Sequence, residues 1–150
     1  MNTLEVYERL GLQQSTQVDA WIVLSHGQRD KGRLKVQTSS GEEVHIFLDR
    51  GVPLMVGEVL RTRCGKHLAV EGAPEQVVTA TCDDWDMFSR ACYHLGNRHV
   101  KVEIGERWLR MLPDHVLENM LKLQGLTLQR EIAVFQPEAG AYSGLAIHHH

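Results

Sequence analysis

No apolar run in this chain approaches the roughly 20 residues that a membrane-spanning helix needs, so no membrane association is expected. An excess of positive charge is missing as well. Its 16 Lys and Arg stand against 19 Asp and Glu, a formal net charge of −3, which leaves no basic footprint for nucleic acid. Cysteine is scarce: Cys64, Cys82 and Cys92 are widely spaced, and none belongs to a Cys-x-x-Cys pair. They read as reduced thiols of a cytoplasmic protein, small apolar fillers rather than ligands. The opening Met1-Asn2-Thr3-Leu4-Glu5 has no basic segment leading into an apolar one, so no secretory leader is expected. Catalytic signatures are lacking too. There is no Gly-x-x-x-x-Gly-Lys phosphate loop, no recognisable nucleophile arrangement and no carboxylate pair of defined spacing. A catalytic metal site usually takes three ligands from one chain and keeps an open position, and no such trio is evident. An enzyme is not expected.

Histidine is what the chain has in quantity. There are nine in 150 residues; three close the chain, and His94, His99 and His115 lie close together in sequence. Imidazole is the commonest protein ligand for late first-row metals, so composition alone points toward metal binding. The remainder, 43% apolar and 23% charged, is ordinary for a globular protein, and the length suits one average domain or two small ones.

From Val18 to about Gly72 the signals are those of strands. Segments 20–24, 33–38, 44–48 and 58–62 are short and rich in β-branched residues, with turn clusters at 39–42, 50–53 and 64–67 between them. This pattern predicts a small antiparallel barrel or sandwich. Around Gly72-Ala73-Pro74-Glu75 the character changes, and Pro74 disfavours continuing a helix or a central strand. A strand at 77–81 comes next, then a helix at 83–95 with Phe88, Cys92 and Leu95 spaced by four and three. Strands at 100–104 and 107–112 flank a Gly105-Glu106 turn. Pro113-Asp114 opens a second helix, whose apolar face carries Val116, Leu117, Met120 and Leu121 and which Gly125 ends. A final strand covers 126–135. The order βαββαβ is the ferredoxin-like split motif. The expected class is therefore α+β: a β-rich domain at 1–74, a ferredoxin-like domain at 75–136 and a flexible tail at 137–150.

Within that frame His94-Leu95-Gly96-Asn97-Arg98-His99 stands out. Gly96 and Asn97 both tolerate the left-handed conformation of a helix C-terminal cap, so they are expected to end the helix and leave His99 at an exposed corner. Residues five apart lie about 140° from each other around a helix, so His94 chelates alongside His99 only if the helix ends between them. A surface or packing role is its other reading. His115 falls in the first turn of the second helix, where the helix dipole keeps imidazole neutral and ready to ligate; a local turn contact is the alternative. His148, His149 and His150 have two readings, a native ligand tail and a purification-tag remnant, and the preceding Gly144-Leu145-Ala146-Ile147 is not a usual tag linker. Dispersed His26, His45 and His67 are given no role, and strand alternation places His45 on the face away from Val44, Ile46 and Leu48, exposed.

The string 94–99, with Pro137-Glu138-Ala139-Gly140-Ala141-Tyr142 and the terminal His148-His149-His150, resembles the signature of the UreE urease accessory family of metallochaperones. The likeness is specific over roughly 83–150 and vaguer before it. It implies a β-rich N-terminal domain that contacts partner proteins, followed by a ferredoxin-like metal-binding domain. It also implies a chaperone that carries Ni(II) as cargo to apo-urease while the urease metallocentre is assembled. In that family the histidine closing the Gly-Asn-Arg-His string is the central ligand, here His99. A homodimer through the C-terminal domain sets two such residues at one symmetry axis. The tail histidines His148, His149 and His150 assist loading and release. The implied partners are the urease apoprotein and the urease accessory proteins, including the accessory GTPase. The family often has a further histidine two residues before His115; that position is Pro113 here, which leaves His115 a peripheral ligand. Only the resemblance names nickel, since Cu(II) outcompetes it at most nitrogen sites and Zn(II) is close. The reading from another class is a non-catalytic protein- or peptide-interaction module with incidental histidines.

Overall fold

Apolar side chains at alternate positions turn inward on short strands, as Ala20, Ile22 and Leu24 do on one and Val44 and Ile46 on another. The computed structural model describes residues 3–12, 17–49 and 51–138, and the chain divides into two units, one within Met1–Ala73 and the other Pro74–Glu138. The first contains β1 (Thr3–Leu12), β2 (Ala20–Leu24), a single-turn α1 (His26–Arg29), β3 (Arg33–Gln37), β4 (Glu43–Phe47), β5 (Glu58–Thr62) and β6 (His67–Gly72). These strands form one six-stranded sheet in the order β2-β6-β5-β1-β4-β3. Its edges nearly meet: the Ser39 N–H donates to the Trp21 carbonyl at 2.7 Å, and the Ser39 hydroxyl accepts from the Trp21 N–H at 3.1 Å. Val6, Ile22, Leu24, Val44, Ile46, Leu60, Leu68 and Val70 fill the interior.

Two expectations are corrected here. The sheet is mixed, because β1 runs parallel to β4 and β2 parallel to β6. Its long first strand is absent from the predicted set. Register shifts between Val6 and Glu8 and between Arg9 and Gly11 break the alternation by which a strand is recognised.

The second shift has a use. Arg9 forks onto Glu58 through Nε at 2.6 Å and Nη2 at 2.7 Å, while Nη1 and Nη2 donate to the carbonyls of Val52 and Pro53 at 2.6 and 3.1 Å. Glu58, only 2% exposed, also accepts the Met55 N–H at 3.0 Å. This part-buried pair, together with the Leu54 N–H that donates to the Arg29 carbonyl at 2.8 Å, fastens segment 52–55, which carries no regular structure of its own.

The second unit reads β7 (Pro74–Thr81), α2 (Trp85–Asn97), β8 (Glu103–Gly105), β9 (Trp108–Met111), α3 (His115–Leu123) and β10 (Thr127–Val134). Its sheet runs β10-β7-β9-β8 with every neighbouring pair antiparallel. Pro74 opens β7 rather than interrupting it. It pairs with Val134 on β10, while pairing with β9 begins only at Val78, so the missing N–H costs no ladder bond there. The hairpin turn is Glu106-Arg107 rather than Gly105-Glu106, with Arg107 at φ 59°. Gly105 closes β8, and glycine is required there because a Cβ would collide with the Trp108 ring. Phe88, Ala91 and Leu95 of α2 and Leu121 of α3 pack on Val78, Ala80, Leu109 and Met111. Order continues past 135. Phe135 is fully buried, the Gln136 N–H donates to Glu103 at 3.0 Å, and the Glu138 N–H donates to the Val102 carbonyl at 2.7 Å. Among the described residues no helix is long and apolar enough to cross a membrane.

Removing Glu58 leaves the part-buried Arg9 guanidinium without its counter-charge, with only two carbonyls as partners. Glu58→Ala should lower the unfolding free energy by about 3 kcal/mol, read from urea denaturation of the intact chain. A loss below about 1 kcal/mol, the range of an exposed pair, would show that segment 52–55 does not depend on this contact.

Candidate metal centre

Helix α2 starts where Asp84 accepts the N–H groups of Asp86 and Met87 at 2.8 and 3.2 Å, satisfying two of the first-turn donors. Its inner face carries Phe88, Ala91 and Leu95. At its far end Arg98 is the cap, the His99 N–H donates to the Gly96 carbonyl at 3.0 Å, and the Val100 N–H donates to the Leu95 carbonyl at 3.2 Å. These two bonds are the Schellman closure, and they require the residue after the cap to be left-handed. That residue is His99, at φ 55°.

Gly96 and Asn97, expected to end the helix, lie inside it; the left-handed turn is made two residues later by the candidate ligand itself. The signal for this was Val100, an apolar residue five beyond Leu95, where the closure places a hydrophobic contact. Helix α3 closes the same way. There the Gly125 N–H donates to Lys122 and the Leu126 N–H to Leu121, both at 3.0 Å, with Gly125 at φ +93°.

The His99 side chain is exposed. His94 lies in the last turn of α2, also exposed, with its ring edge-on to Tyr93 at 5.6 Å between centroids. The helix is continuous through Asn97, so it has not ended early enough to bring His94 onto the His99 side by unwinding. His115 is the first residue of α3 and is exposed. His148, His149 and His150 lie outside the described residues. Among the described residues no three His, Cys, Asp or Glu side chains come together as a group able to hold a metal. Among the described residues, then, the corner presents His99 without further ligands grouped beside it, and an ion bound there needs ligands from beyond this group.

The corner is joined to α3, because Arg98 Nη1 lies 2.8 Å from Met120 Sδ. That helix is apolar on two sides, not one. Leu117 and Leu121 face the core, with Leu121 fully buried, whereas Val116 is 74% exposed and Leu123 is 89% exposed. Val116 and Leu123, seven residues apart, make an outward stripe, while Met120 between them is half-buried against the core. Such a patch is characteristic of a contact surface.

In the first unit His45 is half-buried rather than exposed. Its Nε2 sits 2.7 Å from Glu43 and its ring stands edge-on to Phe47. The hydrogen bond from His45, aided by Lys35, holds the Glu43 carboxyl below the ordinary range. His67 lines an open depression of about 630 Å³ with Tyr7, Arg61, Arg63 and Cys64. The three cysteines are free thiols.

Residues 4–73 match the UreE urease accessory protein N-terminal domain, and residues 75–150 match the UreE C-terminal domain. A urease accessory protein UreE of Marinomonas sp. (strain MWYL1) is 56% identical over 146 residues, covering 97% of this chain and 99% of that protein. The UreE proteins of Alteromonas mediterranea and Psychromonas ingrahamii are 51% and 47% identical over 133 and 147 residues. They cover 89% and 98% of this chain, and 86% and 95% of their own lengths. Both units of the α+β chain thus correspond to domains of urease accessory proteins. The chain is a member of the UreE urease accessory protein family.

The thiols differ in character. A hydrogen bond with the Thr62 hydroxyl at 3.3 Å lowers the pKa of exposed Cys64, whereas burial raises that of Cys92. Since the thiolate is the nucleophile, iodoacetamide at neutral pH should alkylate Cys64 before Cys92, and peptide mass mapping over time reads the order. Equal rates at the two would contradict the environments described.

Proposed function

We propose that this protein is a nickel metallochaperone, binding Ni(II) as cargo and delivering it to apo-urease during assembly of the urease metallocentre. The observation that carries the reading is His99. An L-residue held left-handed at an exposed helix end is an outlier that calls for a functional reason, and an accessible imidazole is a suitable nickel donor. Its relatives bear the name of urease accessory proteins, which supports urease as the recipient.

One imidazole does not hold an ion, so we read the site as shared. A two-fold axis beside His99 supplies the second copy, and His148, His149 and His150 would complete the ligand set and help release the ion. The outward Val116 and Leu123, on the helix that Arg98 ties to the corner through Met120, support a homodimer formed by the second unit. His115, at the head of α3, is at most a peripheral ligand, and His94 is a surface residue. We take the second unit as ferredoxin-like, with domains at 1–74 and 75–136 and a tail at 137–150. The first domain would be the surface for the urease apoprotein and the other accessory proteins, including the accessory GTPase, all in the cytoplasm. Cu(II) and Zn(II) would compete for the same nitrogen donors.

Equilibrium dialysis tests this reading. The intact protein should bind its tightest nickel at about half an ion per chain, as an axial site requires. His99→Ala should abolish that site with little change in folding, while His94→Ala should retain it. Removal of residues 148–150 should lower capacity or affinity and leave a site that still depends on His99. Retention of the tight site in His99→Ala, or its complete loss on removing the tail alone, would rule out the shared His99 site.

A further inference from the structure

The second unit contains its own control for the His99 corner. Helices α2 and α3 end with the same pair of backbone hydrogen bonds, from the first and second residues beyond the cap to the carbonyls three and five positions before them. At the left-handed position α3 has Gly125 and α2 has His99. Glycine adopts positive φ without a Cβ penalty, whereas other L-residues do so at a cost. The next residue is apolar and anchored in both cases. Leu126 is buried after Gly125, and Val100 packs half-buried on the same core after His99. Leu95, whose carbonyl receives the Val100 N–H, is fully buried.

We infer that Val100 is the positioning residue of the metal corner, anchoring a backbone closure that aims the His99 imidazole, and that histidine stands there where glycine would be more stable. The inference rests on the reading of His99 as a nickel ligand for its functional half, while the stability half comes from backbone geometry alone. Val100 does not ligate. Its isopropyl group holds the chain leaving the helix against the core cluster that includes Leu95, and its N–H completes the bond that keeps His99 left-handed. Loosening that anchor frees the imidazole to swing, so binding must re-order it.

The test uses the full-length protein. Metal-free thermal unfolding, recorded with a chelator present, should show His99→Gly melting about 3 °C above the wild type, because the left-handed strain is relieved. Nickel affinity, measured well below every melting temperature, should fall roughly fivefold in Val100→Ala, the consequence of losing preorganisation at one side chain. Val100→Ile, which restores the anchor, should return affinity to within about twofold of the wild type, within the tolerance for a near-isosteric apolar swap. A residue that merely stabilised the unit would move the melting temperature and leave low-temperature affinity unchanged. If Val100→Ala binds nickel like the wild type while His99→Ala loses the site, the positioning role is overturned and His99 stands as a ligand. If His99→Gly melts lower than the wild type, histidine carries no strain at this position and the stability half is overturned, whatever the metal does. If His99→Gly melts higher yet binds nickel unchanged, the closure is as described, but His99 is not a ligand and Val100 positions nothing.

Discussion

The carbonyl of Leu95 is where the second unit's packing and its candidate chemistry meet. Leu95 is locked between α2 and the sheet, so its carbonyl points where the core dictates. The Val100 N–H must find it at 3.2 Å or remain unpaired on a half-buried strand of chain. That single requirement forces the intervening residue into the left-handed region and turns the chain sharply off the helix axis. It also starts residues 100–103 along the path that brings Val102 and Glu103 to receive Glu138 and Gln136. The corner that presents His99 and the segment that leads into the C-terminal residues are therefore set by one apolar side chain and one backbone bond.

In the first unit a charged pair has a comparable role. A bulge aims Arg9 inward, and Glu58 meets it with both carboxylate oxygens. The guanidinium directs its remaining donors to the backbone of segment 52–55. A part-buried pair of this kind contributes less to net stability than to specificity of conformation, because desolvation offsets most of the attraction. Here the specificity is visible as a loop without hydrogen-bonded structure of its own that nevertheless has one path.

Periodicity made much of this legible in the sequence. The alternation in β2 and β4, the four-and-three spacing in α2 and the Pro113-Asp114 start of α3 each correspond to an element within a few residues. Strand β1 escaped because two bulges scramble its inward and outward positions, and with it went the parallel pairing that makes the sheet mixed. The outward stripe of α3 was merged with its core face because Val116 is as apolar as Leu117, and composition cannot tell a buried face from one that awaits a neighbour. The string around His99 supplied the candidate corner, yet the end of its helix was misplaced by two residues. Gly96 and Asn97 have the chemistry to stop a helix, but the burial of Leu95 carries the helix past them and chooses the stopping point.

Helix α2 is held at both ends, by the Asp84 carboxylate at its start and the Leu95–Val100 bond at its finish. Each added or deleted residue would rotate everything beyond it by about 100° and advance it by about 1.5 Å. Leu95 would then leave its slot among Phe88, Ala91 and Leu121, or His99 would point from another side of the domain. The interval from Asp84 to Val100 is thus a fixed length in which outward residues such as Ser89, Arg90 and Tyr93 are free to vary in kind while their number is not. The geometry therefore tolerates substitution in this segment, while length changes are tolerated only in the chain on either side.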